Sequence, residues 1–316
     1  MNTDYQDIKS YKKPISVEIC VLIYLETILL QNAEQFPING ANSRNNTEEK
    51  KIMKEQIFKD QVAIVTGAGE GIGHEIARRL ALRGAAVLLN DIKAELATKA
   101  AQDICTEGGI CVGVGGDIGD VQVVRDLVTR AVADFGRLTI AIANAGLSLW
   151  DDFFDFKPED FNRILAVNLG GSFFLAQAAA RQMRLQGTGG RLLFMSSVAG
   201  NQAIATSSVY AMTKKGLEML ARSLISEVSA HGITVNVIAP GATVTPRTVA
   251  AVPDYEPIWS QVTPTGRPAY PIDIANAALF FLSPAASHIT GQTLIVDGGW
   301  SATSPEPQSQ FVDKTK

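Results

Sequence analysis

The sequence is poor in the side chains that bind metals or form disulfides. It has three histidines and three cysteines in 316 residues. The histidines are scattered, so no pair has the spacing of a metal site. The cysteines are odd in number and also lack metal-ligand spacing, which excludes a disulfide-rich secreted scaffold. We therefore expect no metal, and the pattern favours a cytoplasmic protein.

Charge and long apolar runs are also scarce. The net charge is −4 and no basic stripe occurs, which argues against a nucleic-acid-binding surface. The apolar run at residues 15–30 is interrupted by Glu18 and Glu26, and it falls short of the roughly 20 residues that a membrane span needs. No small-residue cleavage pattern of a signal peptide follows it. We expect no membrane partner.

Composition divides the chain into three parts. Residues 1–58 hold that apolar run and a polar, turn-rich stretch, and are predicted to be a disordered extension. Residues 59–301 alternate short apolar runs with longer helical patterns. Residues 302–316 have little to bury, which predicts a disordered tail.

The middle part has the pattern of an α/β fold. Its short runs are nearly continuously apolar, as is typical of strands buried on both faces. Their alternation with helices predicts a doubly wound parallel seven-stranded sheet of the Rossmann type, in three α/β/α layers. The predicted strands are 62–66, 86–90, 111–115, 139–144, 191–196, 233–239 and 293–298. The predicted helices are 73–83, 94–107, 121–135, 158–186, 208–231 and 271–282.

A glycine-rich stretch, TGAGEGIG at residues 66–73, joins the first strand to the first helix. This context predicts a dinucleotide site. Gly67 permits the tight turn, Gly71 allows the backbone to approach a pyrophosphate, and Gly73 allows close packing of helix and sheet. The amino terminus of the helix then faces the phosphates.

Two carboxylates near this loop bear on the choice of dinucleotide. Asp91 ends the second strand, where an acid binds the ribose hydroxyls of NAD and repels the 2′-phosphate of NADP. Glu70 adds a second negative charge in the loop. Asp91 can also serve as the amino-terminal cap of the next helix, and the two roles are compatible. We predict that the cofactor is NAD.

Tyr210 and Lys214 are four residues apart in a helical pattern and therefore share one face. Ser197 lies thirteen residues before Tyr210, at the end of the fifth strand. Its neighbour Ser196 competes for the same assignment, because alternation along a strand allows only one of the two to face the site. The spacing favours Ser197.

With these residues the middle part resembles the short-chain dehydrogenase/reductase superfamily in its single-domain form of about 250 residues. The resemblance covers roughly residues 58–301, and seven motifs occur in the family's order. They are TGAGEGIG, NAG at 144–146, the asparagine of VNLGG, the serine of MSS, YAMTK, PGATVT and VDGG. Ala143 departs from the asparagine that the family usually has there.

The resemblance implies catalytic roles for four residues. Tyr210 is implied as the general acid/base, with its pKa lowered by the Lys214 ammonium and by the positive nicotinamide. Lys214 is further implied to bind the nicotinamide ribose, and Ser197 to hold the substrate oxygen. Asn168 is implied to position a water that links Lys214 to solvent. The structural alternatives are a core tyrosine, a surface lysine, a capping serine and a buried asparagine.

The resemblance also implies which residues hold the cofactor and the substrate. Asp117 and Ile118 are implied to flank the adenine, and Thr245 to reach the carboxamide. The substrate is expected to be a secondary alcohol or ketone that binds beside Ser197 and Tyr210 under a lid at residues 243–268. The full set of expected cofactor contacts is Gly67, Gly69, Glu70, Gly71, Ile72, Gly73, Asp91, Ile92, Asp117, Ile118, Asn144, Ala145, Gly146, Tyr210, Lys214, Pro240, Gly241, Thr243 and Thr245, and aromatic substrate contacts are expected from Trp150 and Trp259.

Alternatives stay open at this point. Part of the sequence is similar to 3-oxoacyl-carrier-protein reductases, which usually prefer NADPH, and part to glucose 1-dehydrogenases. A catalytically silent NAD-binding protein is another reading, and Trp150 or Trp259 can instead pack against a neighbouring subunit. The resemblance implies a homotetramer built on the helices at 158–186 and 208–231.

The long leader before the first strand is a separate question. Family chains commonly start a few residues before that strand, and Met53 would be an ordinary start. The residues just upstream, EEKKI, are rich in residues whose codons can consist of purines only, as in a ribosome-binding sequence. We hypothesise that residues 1–52 are a mis-assigned leader, which the intact mass of the natively expressed protein would test.

Overall fold

The computed structural model describes residues 56–303. The predictions for residues 1–55, including the leader hypothesis, and for residues 304–316 lie outside this range. Phe58, at the predicted domain boundary, is fully buried, and its N–H donates to the Arg83 carbonyl. The folded unit therefore includes this residue.

Seven parallel strands form one sheet in the order β3-β2-β1-β4-β5-β6-β7. Each predicted strand is present, within a few residues of its expected bounds, because a strand buried on both faces needs an uninterrupted apolar run. The order reverses between β1 and β4, and ligands bind at such a switch point, outside the carboxyl ends of the strands. The strands are β1 (Val62–Val65), β2 (Ala86–Asp91), β3 (Ile110–Gly115), β4 (Ile140–Ala143), β5 (Gly190–Met195), β6 (Ile233–Pro240) and β7 (Thr293–Val296).

Helices cover both faces of the sheet, which confirms the predicted Rossmann-type α/β/α layering. Alternation along β1 sends Ala63 and Val65 to one core and Val62 and Ile64 to the other. The helices are α1 (Gly71–Leu82), α2 (Ala94–Thr106), α3 (Val121–Phe135), α4 (Pro158–Ile164), α5 (Ser172–Gln186), α6 (Ser208–Val228), α7 (Pro246–Ala251), α8 (Tyr255–Val262) and α9 (Pro271–Leu282). The first core is shared with α1, α2 and α9, and the second with α3, α5 and α6.

The structure differs from the predicted elements in two places. The single helix predicted at 158–186 is divided by a π-helical segment, Leu165–Gly171, between α4 and α5. The lid at 243–268, expected as a long loop, contains the two short helices α7 and α8. Proline at the first position of α7 is compatible with a helix start, so the prolines of the lid did not exclude helix.

The stretch Pro158–Gln186 is, among the described residues, the one helix long and apolar enough to cross a membrane by length and composition. Its mean hydropathy is 1.2, and 44% of the window is buried in the fold. Leu175, Ala176 and Ala179 of this stretch belong to the second core. These apolar residues therefore pack against the sheet.

Candidate active site

The predicted catalytic tyrosine and lysine meet at the carboxyl end of β5. They lie one turn apart on α6, with Lys214 Nζ 5.5 Å from the centroid of the Tyr210 ring. Lys214 is 3% exposed, and its ammonium donates to the Met195 carbonyl at 2.8 Å. The Ser197 hydroxyl lies close enough to the Tyr210 phenol to lower its pKa. The structure thus brings Ser197, Tyr210 and Lys214 together.

The two adjacent serines point to different sides, as strand alternation predicts. Ser196 is buried, with its Oγ 2.9 Å from the Lys214 carbonyl and 3.1 Å from Glu218 Oε1. Ser197 instead accepts the Ala199 N–H at 3.2 Å and reaches Tyr210. This geometry agrees with the choice of Ser197 for the substrate oxygen.

Burial changes the pKa values of Tyr210 and Lys214. It raises the pKa of the Tyr210 phenol, against the smaller opposing effects of the Ser197 hydroxyl and the positive charge of Arg247. Burial and the Arg247 charge lower the pKa of Lys214 to about 8. Without a bound cofactor the Tyr210 pKa is therefore raised and not lowered as expected. The desolvation penalty of the phenolate is larger than its stabilisation by nearby positive charge.

Asn168 lies in the π-helical segment and is fully buried. Its amide is fixed on three sides. Oδ1 accepts the Leu147 N–H at 2.8 Å, and Nδ2 donates to the Leu147 carbonyl at 3.0 Å and to Thr213 Oγ1 at 3.1 Å. π-helical turns inside α-helices occur frequently at functional sites.

Gly146, in the loop after β4, lies close to the side chains of Lys214 and Asn168. A Cβ at this position would lie 3.1 Å from Lys214 Nζ and 3.5 Å from Asn168 Oδ1. The absence of a side chain therefore leaves room beside both polar groups. The predicted lysine–asparagine pair faces this gap.

The glycine-rich turn is braced from the end of β4. Asn144 Nδ2 donates to the carbonyls of Thr66 and Gly67, each at 2.9 Å. Thr66 Oγ1 in turn accepts the N–H groups of Asn144 and Ala145 at 3.2 Å. Gly67 has φ +59°, and a Cβ there would lie 2.7 Å from Ala145 Cα. A larger residue would force the two loops apart.

Asp91 and Glu70 lie beside that turn. Asp91 Oδ2 accepts the Gly69 N–H at 3.1 Å, and Oδ1 accepts the Lys93 N–H at 3.1 Å. The amino-terminal cap of α2 is Lys93, so the alternative role of Asp91 as that cap is wrong. Glu70 caps α1 through its backbone and its side chain makes no capping bond. The Asp91 carboxylate therefore contacts the glycine-rich turn, and Glu70 lies at the amino end of α1.

The other predicted cofactor contacts differ in burial and in their partners. Asp117 pairs with Arg163 at 2.8 Å, and although burial raises its pKa, the Arg163 and Gly119 hydrogen bonds lower it more. The side chain of Ile118 is buried against Gly171, whereas Ile92 is 59% exposed. Thr245 packs near Gly71, where a Cβ would be 3.4 Å from Thr245 Cγ2. The remaining predicted contacts lie at the amino end of α1, or at and just after the carboxyl end of β6. They are Ile72, Gly73, Pro240, Gly241 and Thr243.

The two predicted substrate aromatics are placed differently. Trp150 lies beside the catalytic tyrosine, with ring centroids 6.0 Å apart. Trp259 on α8 instead contacts Tyr255, at 6.1 Å, and Trp300, at 5.5 Å. Trp150 therefore lines the site directly, and Trp259 joins the lid to the segment after β7.

Comparison with known proteins identifies the family. The sequence model of the family described as enoyl-(acyl carrier protein) reductase matches residues 67–301. A short-chain dehydrogenase/reductase of Armillaria gallica is 38% identical over 252 residues, which is 77% of this chain and 97% of that protein. The chain belongs to the short-chain dehydrogenase/reductase family.

Two further relatives of this short-chain dehydrogenase/reductase indicate its chemistry. An L-rhamnose 1-dehydrogenase (NAD(P)(+)) of Azotobacter vinelandii is 35% identical over 247 residues, covering 76% of this chain and 96% of that one. A solved 7α-hydroxysteroid dehydrogenase, in complex with NADH and 7-oxo glycochenodeoxycholic acid, is 36% identical with TM-score 0.74 and covers 78% of this chain and 96% of its own. The protein is accordingly an oxidoreductase of alcohols and ketones.

Sequence reasoning missed three residues of this dehydrogenase/reductase site. Thr66 links the ends of β1 and β4, and its place as the first residue of the glycine-rich stretch was a usable signal. Thr213 holds Asn168, and its position one turn after Tyr210 was a second signal. Arg247 reaches from α7 to the β4 loop, and nothing local in the sequence indicates that contact.

Proposed function

We propose that the protein interconverts a secondary alcohol and a ketone with NAD(H), and that Tyr210 is its general acid/base. The observation that carries the proposal is the contact of Ser197, Tyr210 and Lys214 at the carboxyl end of β5, next to the glycine-rich turn. Bound NAD(H) supplies or accepts a hydride at C4 of its nicotinamide ring.

The proton moves through this chain's own residues. In ketone reduction the Tyr210 hydroxyl donates to the developing alkoxide, and the Ser197 hydroxyl donates a hydrogen bond to the same oxygen. Burial keeps the phenol protonated, which suits this direction. In alcohol oxidation the phenolate accepts the proton, with the Lys214 ammonium beside it. Asn168 and Lys214 face the gap at Gly146, where a water would connect them to solvent.

The cofactor preference for NAD rests on charge. The Asp91 carboxylate already accepts the Gly69 N–H and retains lone pairs for the ribose hydroxyls. A 2′-phosphate would lie against this carboxylate and near Glu70, and the loop residues 66–73 contain no lysine or arginine. An NADPH-dependent reductase similar to 3-oxoacyl-carrier-protein reductases is the second candidate, and this charge counts against it.

We further propose a cytoplasmic homotetramer. Phe173 on α5 and Met219 on α6 expose apolar surface, and so do Leu294 and Ile295 of the edge strand β7. Exposed apolar helix faces and an uncovered sheet edge favour association with other copies. Light scattering of the purified protein would measure the assembly, and a monomer at micromolar concentration would reject it.

Turnover measurements test the proposed function. The purified protein is mixed with NAD or NADP and a panel of secondary alcohols, and with NADH or NADPH and the matching ketones, while absorbance of the reduced cofactor is followed. We expect turnover with NAD(H) and a higher kcat/KM than with NADP(H). NAD binding without turnover in either direction would leave a silent binding protein, and equal kcat/KM for the two cofactors would remove the NAD assignment.

The role of Tyr210 has its own test. Tyr210→Phe removes the acid/base hydroxyl and keeps the ring that packs on Trp150. We expect kcat to fall by about 10²–10⁴, the usual contribution of a general acid/base, with NAD affinity retained. Activity close to that of the unmodified protein would exclude this role.

A further inference from the structure

Arg247 of the lid reaches the loop after β4, beside the residues of the proposed active site. It lies on α7, and its guanidinium crosses to the loop after β4. Nη1 donates to the Gly146 carbonyl at 3.3 Å, and Nη2 lies 3.3 Å from the Ser148 carbonyl and 2.5 Å from the Ser148 hydroxyl. The charged group is therefore held beside the residue whose missing side chain opens the gap at Lys214 and Asn168.

The charge of this guanidinium has no acidic partner. Among the described residues, 56–303, no ion pair includes Arg247. Glu256 of the lid bonds the Tyr270 hydroxyl, and Asp273 of α9 pairs with Arg267 at 2.7 Å. All three oxygens that hold Arg247 are neutral. Of its five N–H donors, the side chain uses three on these oxygens and keeps two for an anion.

The positive charge also acts on the reacting groups. Arg247 lowers the pKa of Lys214, after the larger effect of burial, and it opposes the rise that burial causes in the pKa of Tyr210. An anion bound at Arg247 therefore lies within electrostatic reach of both side chains. Trp150 presents an apolar ring 6.0 Å from that of Tyr210.

We propose that Arg247 binds a carboxylate of the substrate, so that the substrate is a secondary alcohol or ketone with an apolar body and an acidic group. This inference rests on the proposed function and specifies its substrate class. The two remaining donors, Nε–H and one Nη1–H, point in different directions, so a carboxylate accepts from one of them in a charge-assisted hydrogen bond. The apolar body then packs on Trp150, with the reacting carbon at Ser197 and Tyr210.

A cofactor phosphate offers the same anionic oxygens, and the experiment separates the two sources. The probes are 4-hydroxycyclohexanecarboxylate and its methyl ester, which differ in charge and share the reacting alcohol. The quantity measured is the ratio of kcat/KM for the acid to kcat/KM for the ester. A change in Tyr210 acidity affects both substrates, so the ratio isolates the contact with the carboxylate.

In Arg247→Met we expect this ratio to fall roughly 10- to 100-fold, the range for loss of a hydrogen-bonded charge pair. Arg247→Lys keeps the positive charge but cannot keep all the hydrogen bonds to the loop after β4, and its ratio is expected to lie between those of the unmodified protein and Arg247→Met. Arg125→Met removes an exposed arginine from α3 and is the matched control, expected to leave the ratio unchanged. An unchanged ratio in Arg247→Met would overturn the proposal.

A binding measurement decides the same point without turnover. The affinity of the NADH-saturated protein for cyclohexanecarboxylate is compared with its affinity for cyclohexanecarboxamide by NADH fluorescence. We expect the carboxylate to bind more tightly, and Arg247→Met to abolish that difference while the Kd of NADH stays within about threefold. A loss of NADH affinity with no loss of carboxylate preference would assign Arg247 to a cofactor phosphate and reject the proposal. If the protein oxidises no alcohol, the proposed function fails and this arm still decides whether Arg247 binds carboxylate.

Discussion

Lys214 allows the stability cost of the catalytic arrangement to be measured. Its ammonium is buried, its one hydrogen bond in the described structure goes to the Met195 carbonyl, and the pKa is lowered from 10.5 to about 8. Such a lowering means that the folded state disfavours the charged form. Lys214→Met keeps most of the side-chain volume and removes the charge.

The lowered pKa converts into a pH-dependent stability. Below about pH 8 the lysine is protonated in both folded and unfolded chains, and the folded chain carries the whole burial penalty of about 3 kcal/mol. Between pH 8 and 10.5 the unfolded chain binds a proton that the folded chain does not, so the stability of the unmodified protein rises by about 1.4 kcal/mol per pH unit from this group. The methionine variant lacks this rise.

Urea unfolding of both proteins at pH 7, 8, 9 and 10 measures the difference. The free energy of unfolding of Lys214→Met, relative to the unmodified protein, is expected to be flat up to about pH 8 and then to fall by a few kcal/mol. At pH 7 the variant gains stability because it lacks the buried charge, but loss of the bond to the Met195 carbonyl offsets about 1 to 3 kcal/mol of that gain. The change of the stability difference with pH is therefore more informative than its value at pH 7. Lys99→Met, at an exposed position on α2, controls for loss of a lysine. A difference that is constant from pH 7 to 10 would refute the reasoning.

Two further changes test the cofactor and serine assignments. Asp91→Asn keeps an acceptor for the Gly69 N–H and removes the charge, so the ratio of kcat/KM for NAD to that for NADP is expected to fall by about tenfold or more; a preserved ratio would mean that this carboxylate does not select the cofactor. Ser197→Ala is expected to lower kcat by about 10²–10³, as for loss of an oxyanion donor, with stability little changed. Ser196→Ala is expected to retain activity and to lower the free energy of unfolding by about 1 to 3 kcal/mol, because Glu218 and the Lys214 carbonyl lose a buried donor. If Ser196→Ala instead loses activity while Ser197→Ala loses stability, the roles proposed for the two serines are exchanged.

The sheet was predictable because its signal is local. A strand buried on both faces has to be apolar throughout, and β1 or β6 can take no other place in the fold. Right-handed crossovers limit the possible strand orders but do not by themselves select the observed one. The motif residues meet because the carboxyl ends of parallel strands lie at one edge of the sheet.

The parts that sequence reasoning missed depend on contacts between distant segments. Residues 158–186 keep a helical apolar pattern throughout, so the π-helical turn at Leu165–Gly171 leaves no sign in the periodicity. The contact of Trp259, a predicted substrate residue, with Trp300 joins segments 41 positions apart and has no local signal in the sequence. Arg247 and Gly146 are 101 positions apart, and only the folded lid brings them together.

The π-helical segment has a consequence for the length of the chain in this region. An α-helix advances by about 100° per residue, so deletion of one residue between Leu165 and Gly171 would turn α5 by that angle relative to α4. Leu175 and Ala179 would then leave the core, and Asn168 would point away from Leu147 and Thr213. The number of residues in this segment therefore sets the rotation of the core helix α5 relative to the Asn168 amide. A substitution in this segment changes the contacts of one side chain. A change of length alters both the packing of α5 and the hydrogen bonds of Asn168.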